Sequence, residues 1–179
     1  MASGNDSSFV RKAAICGIGA TEFSKESGRT ELQLAVEAVK SALDDAGIAS
    51  SAVDGLVTFT MDTNPEIEVA RLMGMGDLTF FSRIHYGGGA TCAAVQQAAM
   101  AVASGGADVV VCYRAFNERS GRRFGSGVHT MGSGSPTAEA AAYGWYMPFG
   151  LVTPAQWVAM FARRYMHEYG ATTEDFGRV

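Results

Sequence analysis

Long apolar runs are missing from this 179-residue chain: every hydrophobic stretch is broken by Gly, Gln or a charge well short of a membrane span. No membrane span is expected. Excess positive charge is missing too. Fourteen Lys and Arg face eighteen Asp and Glu, a net charge of -4. That leaves no electrostatic case for nucleic acid as a partner. Cysteine is scarce, and Cys16, Cys92 and Cys112 are an odd, widely spaced set that fits no disulfide framework. The three histidines, His85, His129 and His167, share no helix face at ligand spacing, so no metal site is expected. The opening "MASGNDSSFVRK" lacks the apolar core of a signal peptide, and residues 1–12 read as a disordered tail. With this cysteine usage, a reducing, cytoplasmic setting is the simplest expectation.

What is present is an alternation. "AAICGIGATEF" (13–23) is short, apolar and ended by glycines, and predicts a buried parallel strand. A helix follows, with Thr30 and Gln33 as a capping box, a stripe of Leu32, Val36, Val39 and Leu43, and Gly47 as its left-handed stop. "VDGLVTFT" (53–60) predicts a second strand, and "NPEIEVARLMGMG" a short helix with Pro65 near its start. Residues 77–86 predict a third strand, residues 90–107 an Ala-rich helix, and residues 108–116 a fourth strand. Strands alternating with helices argue an α/β fold with a largely parallel sheet.

After residue 117 the chain turns Gly- and Ser-rich, and residues 118–150 read as a loop excursion over a site. A helix restarts at 151–179, capped by Thr153 with Pro154 in its first position, and Trp157, Met160, Phe161 and Tyr165 roughly share a face. The final "TTEDFGRV" reads as a capped helix cut after one turn, as expected of a fragment of a longer protein.

Four features invite chemistry. "GIGATE" (17–22) has G-x-G but places Glu22 where the third small residue of a dinucleotide fingerprint belongs, so a tight turn is the better reading. Arg122 and Arg123, in "SGRRFGSG", match phosphate oxygens by guanidinium geometry, against the plainer reading of surface arginines. Gly87, Gly88 and Gly89 stand between a strand and a helix. Amides there favour a developing negative charge, and close helix packing explains the same glycines equally well. Cys92 lies beyond them among small residues and reads as a packed core residue.

The stretch from 84 to 111 resembles the nucleophile region of thiolases, in which a strand ending in Asn-x-x-Cys-x-Ser-Gly precedes an Ala-rich helix and Gly-x-Ala-Asp-Val-Val-Val. "SGGADVVV" (104–111) matches the tail of that pattern. Counting back without gaps, Ile84 and His85 take the Val-Asn positions, Gly88 takes the cysteine, and Ala90 and Thr91 replace Ser-Gly. "AAICGIGATEFSK" and "GLVTPAQWVAMFARRYMHEYG" resemble the branch related to the thiolase domain of sterol carrier protein X, or lipid-transfer proteins. "FTMDTNPEIEVAR", "FFSRIHYGGGA" and "CYRAFNERSGRRFG" resemble the actinobacterial steroid side-chain-cleaving aldolases.

The resemblance covers residues 13–179. It implies the N-terminal half of a thiolase-like fold: a mixed, mostly parallel sheet with helices on both faces (13–117), plus part of the loop domain. It implies a lyase that splits a steroid-derived β-hydroxyacyl-CoA into a ketone and a shorter acyl-CoA such as propionyl-CoA. A CoA thioester is then the substrate, and no covalently bound cofactor is implied. His85, Gly88 and Gly89 are implied at the substrate, Arg122 and Arg123 at the CoA phosphates, and the acid/base residues in a second half of the fold. The implied partners are a second copy, paired through the third strand, and a small acyl-CoA-associated protein with an OB-fold and a zinc-ribbon-like element. Two other classes stay open: a thiolase of the acetyl-CoA acetyltransferase type using a cysteine, and a non-catalytic acyl-CoA or lipid-binding scaffold.

Overall fold

The computed structural model describes residues 11–59, 64–84, 90–117, 119, 144–151 and 153–178. Contacts divide the chain into two units, Met1–Gly121 and Arg122–Val179. The tail expected over 1–12 lies largely outside the described residues, as does most of the 118–150 excursion.

The first unit is built on three parallel strands, β1 (Gly55–Phe59), β2 (Phe80–Ile84) and β3 (Val110–Cys112), in the order β2-β1-β3. Gly55 pairs in register with Phe80 on one side and Val110 on the other. All of β1 is buried, because helices cover both faces of the sheet. Leu56 packs with Val111 against α1 (Glu31–Ala46) and α2 (Glu66–Met73), through Leu34, Val39, Leu43 and Val69. Val57 and Phe59 face the other way and meet Ile84, Ala90 and Ala98, the last two on α3 (Ala90–Ala103). The strand's period of two thus assigns its side chains to two separate clusters. Thr58 is buried among apolar neighbours, and its hydroxyl donates to the Tyr113 carbonyl at 3.1 Å. Asp54 pins the start of β3: its carboxylate accepts from the backbone N–H of Val109 at 2.8 Å and of Asp108 at 2.9 Å.

The expected caps form. Thr30 and Gln33 make the reciprocal capping box of α1, and Gly47 ends it at φ 66°. The buried stripe of α1 is Leu34, Ala35, Val39 and Leu43: Val39 and Leu43 are buried as the sequence suggested, Val36 is half-buried, and Leu34 and Ala35 take the inner positions. Leu32 only flanks the cluster.

The strand predicted over 13–23 does not form. Those residues join no strand among the described residues, and Ile15 and Ile18 are each 76% exposed. The reason lies in its glycines. A Cβ on Gly17 would stand 2.3 Å from the Ala42 carbonyl oxygen, and one on Gly19 2.3 Å from that of Ala38. The bare backbone therefore lies directly on α1, and the Ile18 N–H donates to Asp45 at 2.9 Å. "GIGATE" is a close backbone-to-helix contact, not the tight turn expected of it.

In the second unit, α4 (Pro154–Tyr169) carries the expected Thr153 cap, Gln156 completes its capping box, and Pro154 opens it. A single 3₁₀ turn, Met147–Phe149, precedes it, and Tyr146 meets Trp157 edge-on at 6.0 Å. The short α5 (Thr173–Gly177) has a Thr172–Asp175 capping box, and Phe176 packs against Tyr165 of α4 at 6.1 Å. Among the described residues no helix is long and apolar enough to cross a membrane.

Candidate functional site at the carboxyl edge of the sheet

Because the three strands are parallel, their carboxyl ends, Phe59, Ile84 and Cys112, share one edge. In open α/β sheets ligands bind outside that edge. Residues 85–89 connect Ile84 to Ala90, and both anchors are buried in the same cluster with Val57 and Phe59. His85, Gly88 and Gly89, singled out in the sequence, belong to this connection and lie outside the described residues. The same holds for Arg122 and Arg123.

Two arginines flank this edge, in opposite electrostatic settings. Arg83, next to last in β2, donates through Nε and Nη2 to the two carboxylate oxygens of Glu66 at 2.6 and 2.7 Å. Glu66 opens α2, where the helix N-terminus also favours a carboxylate. Partial burial alone would push the Glu66 carboxyl up. The hydrogen bonds from Arg83 and from its own backbone N–H, with the guanidinium charge, outweigh that and hold it below its ordinary value. Arg114, two residues past β3, is backed by rings instead. Its guanidinium carbon lies 4.5 Å from the Phe116 ring centre and 5.3 Å from that of Phe59, and among the described residues no carboxylate pairs with it.

The segment after β3 is tied down on both sides. Tyr113 is buried, and its hydroxyl donates to the Asn64 carbonyl at 2.8 Å. Asn64 is buried too and donates from Nδ2 to the Ala115 carbonyl at 3.5 Å. Asn117 donates from Nδ2 to the Arg29 carbonyl at 2.8 Å and accepts from the Ser27 hydroxyl at 3.2 Å. Sequence reasoning missed Asn64, Tyr113, Arg114 and Asn117. The signal available for the last three was "YRAFN", a polar and aromatic run directly after a strand; Asn64 stands outside it.

Cys92 is the third residue of α3 and is exposed, which corrects its reading as a packed core residue. Only part of α3 is covered by the sheet, and Cys92 lies on its open face with Val95 and Gln96. For Cys112, loss of hydration around the sulfur pushes the thiol up, and the sulfur makes a long contact of 3.7 Å to the Ala94 carbonyl. A depression of about 270 Å³ lies at the opposite, amino end of β2, lined by Phe80, Gln97, Met100, Ala101 and Ser104. None of these five residues titrates, so it offers no acid or base.

No family model matches the chain. Among curated proteins it is 71% identical to a steroid side-chain-cleaving aldolase of Thermomonospora curvata, over 93% of this chain and 42% of that protein. It is 64% identical to the 17-hydroxy-3-oxo-4-pregnene-20-carboxyl-CoA lyase of Mycobacterium tuberculosis, over 94% of this chain and 43% of that one. Among solved structures it matches an Ltp2-ChsH2(DUF35) aldolase with a TM-score of 0.76 and 69% identity, over 93% of this chain and 41% of that one. The chain thus spans a little over two-fifths of the relatives it matches. Over that length it has the thiolase-like α/β fold and is a homologue of the steroid side-chain-cleaving aldolases.

Proposed function

We propose that this chain belongs to an aldolase that cleaves a steroid-derived β-hydroxyacyl-CoA by retro-aldol chemistry, releasing a ketone and a shorter acyl-CoA such as propionyl-CoA. The observation that carries this reading is the identity of 71% and 64%, sustained over nearly the whole chain, to an aldolase and a CoA lyase. A base takes the proton of the β-hydroxyl, which becomes the ketone carbonyl. The Cα–Cβ bond breaks, and its electron pair passes to the thioester as an enolate. The enolate then takes a proton to give acyl-CoA. No acyl-enzyme is needed, which suits Gly88 at the position where the thiolase pattern has its cysteine. Backbone amides of the Gly87–Gly89 run, entering α3, are suited to stabilising the enolate.

Further readings follow from this one. His85, Gly88 and Gly89 contact substrate, and Arg122 and Arg123 contact CoA phosphates. An OB-fold and zinc-ribbon acyl-CoA-associated protein is the partner, in keeping with the two-protein name of the matched aldolase structure. A second copy pairs along β2, which is an edge strand among the described residues and leaves Phe81 exposed. The three free cysteines suit the cytoplasm.

The test supplies the full-length protein and its partner with a β-hydroxyacyl-CoA and measures ketone and acyl-CoA release. Activity falling to background in Gly88→Trp supports the reading. A Gly88→Trp variant that turns over at the wild-type rate removes the glycine run from the site, and no lyase turnover by wild type removes the reaction. A second reading, a cysteine-dependent thiolase, is favoured by one observation: Cys92 is open to solvent in the first turn of α3. Rapid, selective alkylation of Cys92 with loss of thiolysis would establish it in place of the aldolase.

A further inference from the structure

We propose that Arg114 is an anion-binding residue at the carboxyl edge of the sheet, taking a phosphate group of the CoA portion of the substrate. The proposal rests on the acyl-CoA reading above.

The register brings Arg114 to this place. Val57 pairs with Cys112, so two residues further along both segments bring Phe59 beside Arg114. The Tyr113 N–H donates to the Val57 carbonyl at 3.1 Å, and the Thr58 hydroxyl donates back to the Tyr113 carbonyl, so the backbone under Arg114 is fixed. Phe59 is buried at its strand end, and Phe116 is half-buried beyond it. The two rings hold the guanidinium by cation–π attraction and remove part of the rotamer freedom that an anion would otherwise have to restrain.

A structural arginine at such an edge usually has an acid, as the neighbouring strand shows. The Arg83 charge is matched by Glu66 in a two-bond clamp. The N–H donors of Arg114 have no protein acceptor among the described residues, which leave it only the two rings. A planar fork of donors with no carboxylate, stacked on aromatic rings, is suited to a phosphate, whose oxygens it meets two at a time. Carboxyl edges of parallel strands are where such ligands enter. A thioester of CoA brings both a 3′-phosphate and a pyrophosphate.

The test uses the full-length protein and isothermal titration with three probes: coenzyme A, dephospho-coenzyme A and pantetheine. Losing a charged, two-bond contact weakens binding roughly tenfold to a hundredfold. Arg114→Gln is therefore expected to weaken coenzyme A by that factor and to leave pantetheine, which has no pyrophosphate or 3′-phosphate, as in wild type. Phe116→Leu keeps the charge but removes a ring, and is expected to weaken coenzyme A by a smaller factor. If dephospho-coenzyme A binds equally to wild type and Arg114→Gln, the contact is to the 3′-phosphate; if it is still weakened, the contact is to the pyrophosphate. Arg114→Gln binding coenzyme A as tightly as wild type overturns the proposal alone. So does an equal weakening of pantetheine, which would mark a structural role, with circular dichroism as the check on folding. Wild type failing to bind coenzyme A would overturn the acyl-CoA reading and this proposal with it.

Discussion

Two helices of this chain, α1 and α4, are nearly the same object locally. Each has sixteen residues, a Thr–Gln capping box, and a left-handed glycine at its end. Both are amphipathic. Yet α1 buries Leu34, Ala35, Val39 and Leu43, whereas no residue of α4 is buried. On α4, Val158, Phe161 and Tyr169 stand open among the described residues. The difference lies in what each helix meets. α1 has a sheet to lie on, with Val53, Leu56 and Val111 below it. Caps and periodicity start, stop and orient a helix, but its stabilisation comes from the surface it covers.

The contrast can be broken most sharply by truncating one side chain on each helix. Leu43→Ala, at a site only 5% exposed, is expected to cost about 2–5 kcal/mol of unfolding free energy. Phe161→Ala on the open face of α4 is expected to change it by about 0.5 kcal/mol or less. Urea unfolding followed by circular dichroism measures both, and equal losses would show that α4 is as deeply packed as α1. Next in size is Gly19→Ala, which forces a methyl against the backbone of α1 at Ala38 and Ala42 and is expected to cost about 1–3 kcal/mol. If the segment can peel away from α1 at little cost, the unfolding midpoint stays where it is.

The caps test the likeness instead of the difference. Thr30→Ala and Thr153→Ala each remove one capping box, and each is expected to cost its own helix about 1 kcal/mol. Amide exchange, read helix by helix, should rise by similar factors in the two variants. A cap that matters only on α1 would show that α4 is not held by its own ends.

The smallest effect is in pH. The Glu66 carboxyl is lowered in the fold below its ordinary value of 4.5. The pair's contribution is therefore complete above that value and is lost as pH falls through the lower, folded one. The half-exposed guanidinium limits it to about 1 kcal/mol. Arg83→Met should flatten the acid limb of the stability curve below about pH 4.5 and leave its shape near neutrality unchanged. An unaltered acid limb would mean that the clamp is an ornament of the surface.

The caps could be read from the sequence because they depend on three or four neighbouring residues. The three strands described in the sheet could also be read, from their short apolar, aromatic or β-branched runs. The segment 13–23 could not: its apolar run reads as a strand, and only the positions of Ala38 and Ala42 show why Gly17 and Gly19 lie on a helix. The edge of the sheet was legible in part. Chain order puts His85, Gly88 and Gly89 between the end of β2 and the start of α3, outside the described residues. Arg114 could not be read there, because its setting depends on Phe59, on Phe116 and on no acid pairing with it among the described residues, and on pairing between strands more than fifty residues apart.

That pairing has a consequence for how the chain is made. β1 is synthesised first and occupies the middle of the sheet, yet Val110, the partner of Gly55 on one side, emerges 55 residues later. At ~5–20 residues per second, the strand waits on the order of 3–11 s with that side bare. An apolar strand left half-paired for seconds invites the wrong neighbour. α1 is already made when β1 appears and can shelter Leu56 during the interval, so the order of synthesis gives the first helix a guardian's task before it has a structural one.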